Sequence, residues 1–208
     1  MSLFANLPAV QQTIDPGAAL LHGFAHGDAA ALMEEIERIA EAAPFRHMMT
    51  PGGFAMSVAM TNCGAWGWIT DRKGYRYSAT DPESGRAWPA MPASFRDLAS
   101  RAAEAAGFAG FAPDSCLVNR YVPGAKMSPH QDKDEMDFAA PIVSVSLGLP
   151  GVFLWGGATR GEQPRRFRLE AGDVVVWGGP SRLNFHGVDT VAQGDAPCRY
   201  NLTFRKAK

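Results

Sequence analysis

The run RYNLTFR at residues 199–205 constrains the fold of this chain more than any other feature. It alternates polar and apolar residues, so an extended chain would sort them onto two faces of a strand. One face would carry Arg199, Asn201, Thr203 and Arg205, and the other Tyr200, Leu202 and Phe204. The apolar face must be buried. If the polar face is covered too, two guanidinium groups lie inside the protein and need anionic partners. The alternative is an edge strand with solvated charges.

Short apolar or alternating segments recur throughout the second half of the chain, separated by turns rich in Gly, Pro and Asp. They lie at residues 116–121, 141–147, 152–155, 166–169, 173–177 and 199–205. Many short strands without interleaved helices are typical of a sandwich or barrel. The sequence therefore predicts a mainly β, α+β protein whose core is a jelly roll, or double-stranded β-helix, with both faces of its strands covered.

Two helices are predicted in the first half, and both have the spacing of packing helices. One extends from an N-cap at Asp28 to about Ala42 and stops before Pro44. The other extends from about Pro92 to Ala106, with Gly107 just beyond its end. We expect them to form a support layer on the outside of the β core.

Composition narrows the class of protein. The 208 residues suffice for one core and suggest a single domain, and a net charge of −1 gives no overall basic surface. A nucleic-acid partner would therefore need a local basic patch. The three cysteines match neither a disulfide framework nor a zinc motif. The N-terminal residues 1–6 show no signal-peptide pattern, and no apolar run reaches the length of a membrane span. We expect a cytoplasmic protein with reduced cysteines.

The motif H-x-D at His130 and Asp132, with His186 further along, is a candidate metal site. Two histidines and one carboxylate hold non-haem Fe(II) on one face and leave other positions open. Alone, H-x-D is more often a surface turn, and catalytic zinc is a metallic alternative. However, hydrolysis by zinc gives no reason for two inward arginines. Iron with a 2-oxo diacid explains both, since such an acid chelates iron at one end and carries a carboxylate at the other.

Two further groups of polar and aromatic residues are compatible with ligand binding. Asn119 and Tyr121 share one face of another candidate strand and are placed to hydrogen-bond the same acid, unless they are ordinary strand residues. The segment from Thr50 to Tyr77 interleaves aromatic residues with glycines and with basic residues at 72, 73 and 76. This composition suits a base-stacking platform, and the alternative is a hairpin with ordinary core aromatics.

These motifs together resemble the bacterial AlkB family of Fe(II)- and 2-oxoglutarate-dependent dioxygenases, which repair alkylated nucleobases. The H-x-D…H set and the R-x-N-x-x-x-R signature at Arg199, Asn201 and Arg205 match the family pattern. The likeness also includes the segments TPGG at 50–53, SVAMTNCG at 57–64, LVNRYVPGAK at 117–126 and GDVVVWGG at 172–179. It therefore covers nearly the whole chain.

The resemblance implies a role for each matching residue. Fe(II) would be bound by His130, Asp132 and His186. Arg205 would pair with the distal carboxylate of 2-oxoglutarate and Arg199 with the carboxylate beside the iron. Asn119, Tyr121 and Asn201 would add hydrogen bonds to the same co-substrate. Residues 45–83 would form a nucleotide-recognition lid, residues 1–44 and 84–112 the helical support, and residues 113–208 the catalytic jelly roll.

The resemblance also implies contacts with the substrate. Trp68 would stack on the damaged base, His130 on its opposite face, and Tyr75 would reach a phosphate. Asp134 and Glu135 would face the base and its exocyclic amino group. The remaining substrate contacts implied are Thr50, Met60 and Arg160. Basic residues placed to follow the strand are Arg72, Lys73, Arg76, Arg160, Arg165 and Arg166. Asn184 and Trp155 depart from the family pattern and leave the substrate preference open.

The function implied is oxidative demethylation of bases such as 1-methyladenine and 3-methylcytosine, with Fe(II), 2-oxoglutarate and O2. The reaction would release formaldehyde, succinate and CO2. We expect a monomer that acts on methylated single-stranded DNA, with double-stranded DNA and RNA as further substrates. Two alternatives stay open at this point. One is an oxygenase acting on RNA or on a protein side chain, and the other is a non-catalytic jelly-roll binding module.

Overall fold

The computed structural model describes residues 10–208. The first nine residues lie outside the described residues. They include residues 1–6, which showed no signal-peptide pattern, and the start of the expected support segment. No helix within residues 10–208 is long and apolar enough to span a membrane. The secondary structure is dominated by strands, as the sequence predicted.

Fourteen strands and two α-helices are present in the described part of the chain. The strands are β1 (Val10–Asp15), β2 (Ala18–His22), β3 (Arg46–Met49), β4 (Ala55–Gly64), β5 (Gly67–Asp71), β6 (Gly74–Ser78), β7 (Ser115–Tyr121), β8 (Met127–His130), β9 (Ile142–Gly148), β10 (Gly151–Trp155), β11 (Arg165–Leu169), β12 (Val174–Trp177), β13 (His186–Val188) and β14 (Arg199–Arg205). The helices are α1 (Ala29–Ala42) and α2 (Ala93–Ala105).

The strands form a jelly roll made of a large and a small sheet. The large sheet has eight strands in the order β1-β2-β12-β9-β14-β7-β4-β3, and the small one has four in the order β11-β10-β13-β8. A separate hairpin consists of β5 and β6. The predicted fold class is therefore confirmed, because the mainly β core has two layers with helices outside.

Strand β14 lies in the middle of the large sheet, between β7 and β9. Arg199 is opposite Tyr121 and Arg205 is opposite Ser115 in the pairing with β7. Both arginines are almost completely buried, with 1% and 5% of their surface exposed. The strand is thus covered on both faces, which rules out the solvated edge strand and leaves two internal cations that need partners.

The two helices cover the apolar face of the large sheet. Leu32, Ile36 and Ile39 of α1 and Phe95 and Leu98 of α2 join the core formed with β7, β9 and β14. The helix bounds agree with the prediction. The Asp28 side chain makes no capping hydrogen bond and pairs instead with Arg101 of α2, at 2.9 Å. It therefore ties the two helices together.

Several strands were not predicted from the sequence, including β1, β2 and β4 of the large sheet. Strands β1 and β2 precede the first helix, and β2 joins β12 in the large sheet. Strand β4 extends the same sheet by pairing with β7, although it falls in the segment expected to act as a lid. Most side chains of β1 are exposed, so its sequence lacks the buried alternation by which strands are recognised.

Candidate active site

Neighbouring strands of the small sheet bring the three predicted metal ligands together. His130 ends β8 and His186 begins β13, and the two residues are directly paired across these strands. Asp132 follows two positions after His130. Its Oδ1 lies 3.7 Å from His130 Nε2 and its Oδ2 lies 3.6 Å from His186 Nε2. The ligand atoms of the three residues lie within 4.8 Å of one another, a spacing that suits a single metal ion.

Each histidine is oriented by a backbone carbonyl. His130 Nδ1 lies 3.0 Å from the oxygen of Ser128, and His186 Nδ1 lies 3.1 Å from the oxygen of Asn184. A carbonyl oxygen only accepts, so Nδ1 carries the proton in each ring and Nε2 presents its lone pair to the centre. Asn184 thus positions His186 through its main chain, independently of its side-chain type.

The protonation states also suit a divalent metal. Desolvation and the nearby His186 together lower the pKa of His130 to about 4, so the imidazole is neutral near pH 7. Burial acts to raise the pKa of Asp132, but Arg205 and the two imidazoles outweigh it and keep that pKa well below its usual range. Two imidazole nitrogens and one carboxylate are the donor set expected for non-haem Fe(II).

An inner cavity lies beside the metal ligands, between the two sheets. Its polar lining includes Asn119, Tyr121, Ser144, Arg199, Asn201, Thr203 and Arg205. All of the expected 2-oxoglutarate residues are therefore brought to one cavity. Asn119 donates to Asn201 Oδ1 at 3.3 Å, and Asn201 donates to Ser144 Oγ at 2.7 Å. Burial raises the pKa of Tyr121 to about 12, so its hydroxyl is protonated.

Arg199 gives the strongest indication that an acidic ligand binds in the inner cavity. It donates to Ser146 Oγ at 2.8 Å and to the oxygen of Leu149 at 3.4 Å, and its Nε has no hydrogen-bond partner. Within residues 10–208 no carboxylate forms an ion pair with it, although burial lowers its pKa and disfavours the charge. A buried guanidinium facing a cavity without a counter-ion fits the carboxylate of a bound acid.

Arg205 lies in a different position from the one implied by the resemblance. Its Nε and Nη2 donate to Asp132 Oδ2, at 2.9 Å and 2.7 Å, so this arginine lies at the metal end of the cavity. Arg199 has no contact with a metal ligand. In this structure Arg205, and not Arg199, therefore lies beside a metal ligand, which is the reverse of the order that the resemblance implied. The residues at both ends of β14 had the same local pattern, and only strand pairing and the loop carrying Asp132 distinguish them.

An outer cleft of about 580 Å³ opens onto the metal ligands His130 and Asp132. Six of the seven residues expected to contact substrate line it, namely Thr50, Met60, Trp68, Tyr75, Asp134 and Arg160. The indole of Trp68 donates to Asp134 Oδ2 at 2.8 Å, and its ring stacks on that of Tyr75 with centroids 5.6 Å apart. The cleft therefore has an aromatic wall with a carboxylate fixed beside it.

The seventh residue, Glu135, does not line the cleft. Only 6% of its surface is exposed, and it accepts hydrogen bonds from the Tyr77 hydroxyl at 2.6 Å and from Arg182 at 3.1 Å. Burial raises the pKa of Tyr77 well above its usual value, which keeps that hydroxyl a donor. In this structure the Glu135 carboxylate therefore contacts buried partners and does not line the cleft in which the base was expected.

Several residues that line the inner cavity and the cleft were not predicted from the sequence. Ser144 lines the inner cavity, and Trp177 packs against His186 with ring centroids 4.7 Å apart. Phe185 lines the cleft beneath the guanidinium of Arg160. The adjacency of Phe185 to His186 was the only available signal. Trp155, which departs from the family pattern, is buried against Trp177 and lies outside the residues lining the cleft.

The basic residues expected to follow a nucleic-acid strand differ in whether a carboxylate of the protein already pairs with them. Arg76 pairs with Asp71, Arg165 with Asp15 and Arg166 with Asp189. Within the described chain, Arg72, Lys73 and Arg160 form no ion pair. Lys126 and Lys133, which the sequence did not single out, line the cleft and also form no ion pair in residues 10–208. The cationic surface nearest the metal ligands therefore differs from the expected one.

Comparisons with known proteins agree with this site. Residues 17–205 match the sequence model of the 2OG-Fe(II) oxygenase superfamily, which defines the class of enzyme. The chain is 55% identical to the alpha-ketoglutarate-dependent dioxygenase AlkB of Escherichia coli K12 over 211 residues, covering 100% of this chain and 98% of that protein. The chain therefore belongs to the bacterial AlkB family, and it is a dioxygenase that uses Fe(II), 2-oxoglutarate and O2.

Two more distant relatives show how far the likeness extends. The tRNA demethylase abh1 of Schizosaccharomyces pombe is 33% identical over 141 residues, covering 67% of this chain and 46% of that protein. The solved structure of OsALKBH1 superposes with a TM-score of 0.83 at 30% identity, covering 95% of this chain and 100% of the other. The non-catalytic binding module considered from the sequence is thereby excluded.

Proposed function

We propose that this dioxygenase oxidatively removes alkyl groups from N-alkylated bases of nucleic acids. The observation that carries the proposal is the outer cleft, which an aromatic wall and a fixed carboxylate line together with the metal ligands His130 and Asp132. A flat heterocycle can enter such a cleft edge-on, whereas a flexible peptide side chain gains little from stacking. The fission-yeast relative abh1 is a tRNA demethylase, which supports the same class of substrate.

The inner cavity would hold 2-oxoglutarate in one orientation. Arg199 would bind the distal carboxylate, because it is the buried cation without a counter-ion at the end away from the metal ligands. Arg205 would stay beside the carboxylate next to the metal. The protonated hydroxyl of Tyr121 and the amide of Asn119 would donate to the acid. Asn201 donates both of its amide hydrogens to Ser144 and Val145 and would hold Asn119 in place. When bound, Fe(II) and 2-oxoglutarate together supply the oxidant from O2, with succinate and CO2 as products.

The cleft residues would orient the base. Trp68 would stack on one face and His130 on the other, with Thr50 and Met60 completing the floor and wall. The Trp68 indole N–H fixes the Asp134 carboxylate, which leaves its second oxygen for an exocyclic amino group. A base that carries a positive charge, as in 1-methyladenine or 3-methylcytosine, gains further from this carboxylate. Arg160 would contact the sugar–phosphate near the rim.

Phosphates would be bound along the rim of the cleft. Tyr75 is half exposed, and Lys126 and Lys133 flank the entrance without carboxylate partners in the described chain. A base must be single-stranded or flipped to reach the metal, and a lesion that blocks pairing lowers the cost of flipping. We therefore propose single-stranded methylated DNA as the preferred substrate, with double-stranded DNA and RNA as secondary ones. We further propose a cytoplasmic monomer whose residues 45–83 act as the lid.

The test compares a 3-methylcytosine DNA oligonucleotide, the same lesion in RNA and a methylated peptide, each with Fe(II), 2-oxoglutarate and ascorbate. Formaldehyde and restored base are measured together with succinate. We expect stoichiometric formaldehyde and repaired base from DNA, less from RNA and none from the peptide. Formaldehyde from the peptide alone would overturn the nucleic-acid assignment. Faster repair of RNA than of DNA would overturn the preference for DNA.

A further inference from the structure

Glu135, which has no direct role in the proposed reaction, lies at the centre of a buried group of charged side chains. Its Oε2 accepts from Arg182 Nη2 at 3.1 Å, and its Oε1 accepts from the Tyr77 hydroxyl at 2.6 Å. The same Oε1 lies 3.4 Å from Arg205 Nε. The side chains of Glu135, Arg182 and Arg205 are each no more than 6% exposed, so solvent does not screen these contacts.

Arg182 connects the two segments that carry the metal ligands. It precedes His186 in the same loop, and its Nη1 donates to the backbone oxygen of Asp132 at 2.8 Å. Its Nε donates to the oxygen of Ala140 at 3.1 Å. The guanidinium therefore holds the loop after β8 against the loop before β13, and Glu135 supplies the negative charge that makes its burial tolerable.

Glu135 would also keep Arg205 paired if a metal were bound. Arg205 now donates to Asp132 Oδ2, which a metal ion would share. With two buried arginines and two buried carboxylates, the group is neutral before the metal binds. Once Asp132 binds a cation, the Glu135 carboxylate remains as the anion closest to Arg205. Arg205 thus holds the side chain of Asp132, and Arg182 holds its backbone oxygen.

Tyr77 extends this group to the hairpin of β5 and β6. Tyr77 lies in β6, and the opposing strand β5 carries Trp68, which pairs with Tyr77 in the hairpin register. The Tyr77 hydroxyl and the Trp68 indole contact consecutive residues of the same loop, Glu135 and Asp134. The hairpin is therefore attached to the loop after β8, which carries Asp132, by two hydrogen bonds. They go to the neighbouring carboxylates Glu135, which is buried, and Asp134, which lies in the cleft.

We propose that Glu135 is a positioning residue that couples the base-stacking hairpin to the metal site through Tyr77, Arg182 and Arg205. The Asp132 carboxylate is held by this group before metal enters, and the hairpin is held over the same centre. Any change that weakens the group lowers metal affinity and loosens the hairpin together, because linkage between two sites is reciprocal. The use of this coupling in base repair rests on the proposed function, whereas the metal affinity does not.

The first experiment measures Mn(II) binding by calorimetry, without oligonucleotide, for Glu135→Gln and for Asp134→Asn. These adjacent carboxylates form a matched pair. We expect Glu135→Gln to weaken Mn(II) binding about tenfold, as is usual for partners behind the metal ligands. Asp134→Asn should leave Mn(II) affinity unchanged and raise the KM for a 3-methylcytosine oligonucleotide. Unchanged Mn(II) affinity in Glu135→Gln, with a raised oligonucleotide KM, would make Glu135 a base contact and overturn the proposal.

General destabilisation is controlled by Asp81→Asn. Asp81 is also buried and pairs with Arg46 at 2.6 Å, and within residues 10–208 no hydrogen bond or ion pair joins it to the loop that carries Asp132. This variant should lower the Tm and keep the wild-type Mn(II) affinity. If Asp81→Asn weakened Mn(II) binding as much as Glu135→Gln, the effect would reflect stability alone and the proposal would fail.

The second experiment uses Tyr77→Phe, which keeps the ring and removes only the hydroxyl. We expect faster amide hydrogen exchange in residues 67–78 and a two- to fivefold weaker Mn(II) affinity, since one of several supporting bonds is lost. Unchanged exchange and unchanged affinity would overturn the coupling. Neither hydrogen exchange nor Mn(II) affinity requires nucleic acid. If the wild type and every variant failed to repair bases, the proposed function would be rejected, but these two measurements would still test the coupling.

Discussion

The guanidinium of Arg205 donates two hydrogen bonds to one oxygen of Asp132, from Nε at 2.9 Å and from Nη2 at 2.7 Å. This contact defines which end of the inner cavity belongs to the metal. Arg199 is the other buried cation of the same strand and has only neutral acceptors, Ser146 and the Leu149 carbonyl. The two arginines therefore have separate roles, and substitutions at each should have separable effects.

The first prediction compares Arg199→Lys with Arg205→Lys. A lysine cannot reproduce a bidentate guanidinium contact, and hydrogen bonds to charged groups contribute about 1.5–3 kcal/mol each. Arg199→Lys should raise the KM for 2-oxoglutarate about 10- to 100-fold and leave Mn(II) affinity unchanged. Arg205→Lys should weaken Mn(II) binding as well. Succinate formation at varied 2-oxoglutarate and metal calorimetry measure the two effects, and the opposite pattern would restore the order implied by the sequence.

The second prediction concerns Gly151, which lies against Arg199. A Cβ at this position would be 2.9 Å from Arg199 Nε, closer than a side chain tolerates. Gly151→Ala should displace the guanidinium and raise the KM for 2-oxoglutarate more than it lowers kcat. Gly27→Ala is the control, since a Cβ there meets no atom within 4 Å. Equal kinetics for the two variants would show that Arg199 does not set co-substrate affinity.

The third prediction concerns the metal. Chelation should abolish succinate formation, Fe(II) should restore it, and Zn(II) should occupy the site without restoring turnover because zinc has no accessible redox change. His130→Ala, Asp132→Ala and His186→Ala should each remove Fe(II)-dependent turnover. Full activity in any one of these variants, measured as succinate at saturating Fe(II), would remove that residue from the ligand set.

The fourth prediction concerns stacking by Trp68. Replacing Trp68 by Ala removes a base-stacking surface that contributes about 1–3 kcal/mol, so the KM for a 3-methylcytosine oligonucleotide should rise about 5- to 150-fold. Trp66→Ala is a suitable control, because Trp66 lies next to Lys208 and does not line the cleft. A similar oligonucleotide KM in both variants would place the base elsewhere.

The fifth prediction concerns the lysines at the cleft rim. Lys126→Ala and Lys133→Ala should weaken oligonucleotide binding to a similar extent for all base sequences and make it less salt-dependent, by about 0.7 in the log–log slope per lost phosphate contact. Lys206, which pairs with Asp114 at 2.9 Å, provides the control as Lys206→Ala. Fluorescence anisotropy at several salt concentrations measures the slope, and an unchanged slope would exclude phosphate contacts by these lysines.

Much of the fold and of the metal site could be predicted because the signals are local. The bounds of the two helices followed from their periodicity and from Pro44 and Gly107. The alternation of polar and apolar residues at 199–205, in a strand covered on both faces, correctly placed Arg199 and Arg205 in the protein interior. Strands β1 and β2 escaped notice, since an exposed edge strand and a short buried one carry no clear alternation. Their place in the sheet depends on pairing with β12, which is far away in sequence.

The sequence by itself determined the ligand types, the two-faced strand and the family, because residue identity and face along a strand are properties of neighbouring positions. The tertiary structure decided which arginine adjoins the metal, because that depends on the position of the Asp132 loop against β14. It also placed Glu135 among buried partners outside the cleft and paired Arg76, Arg165 and Arg166 with carboxylates. Charge compensation acts through space between distant segments, so only the folded chain specifies it.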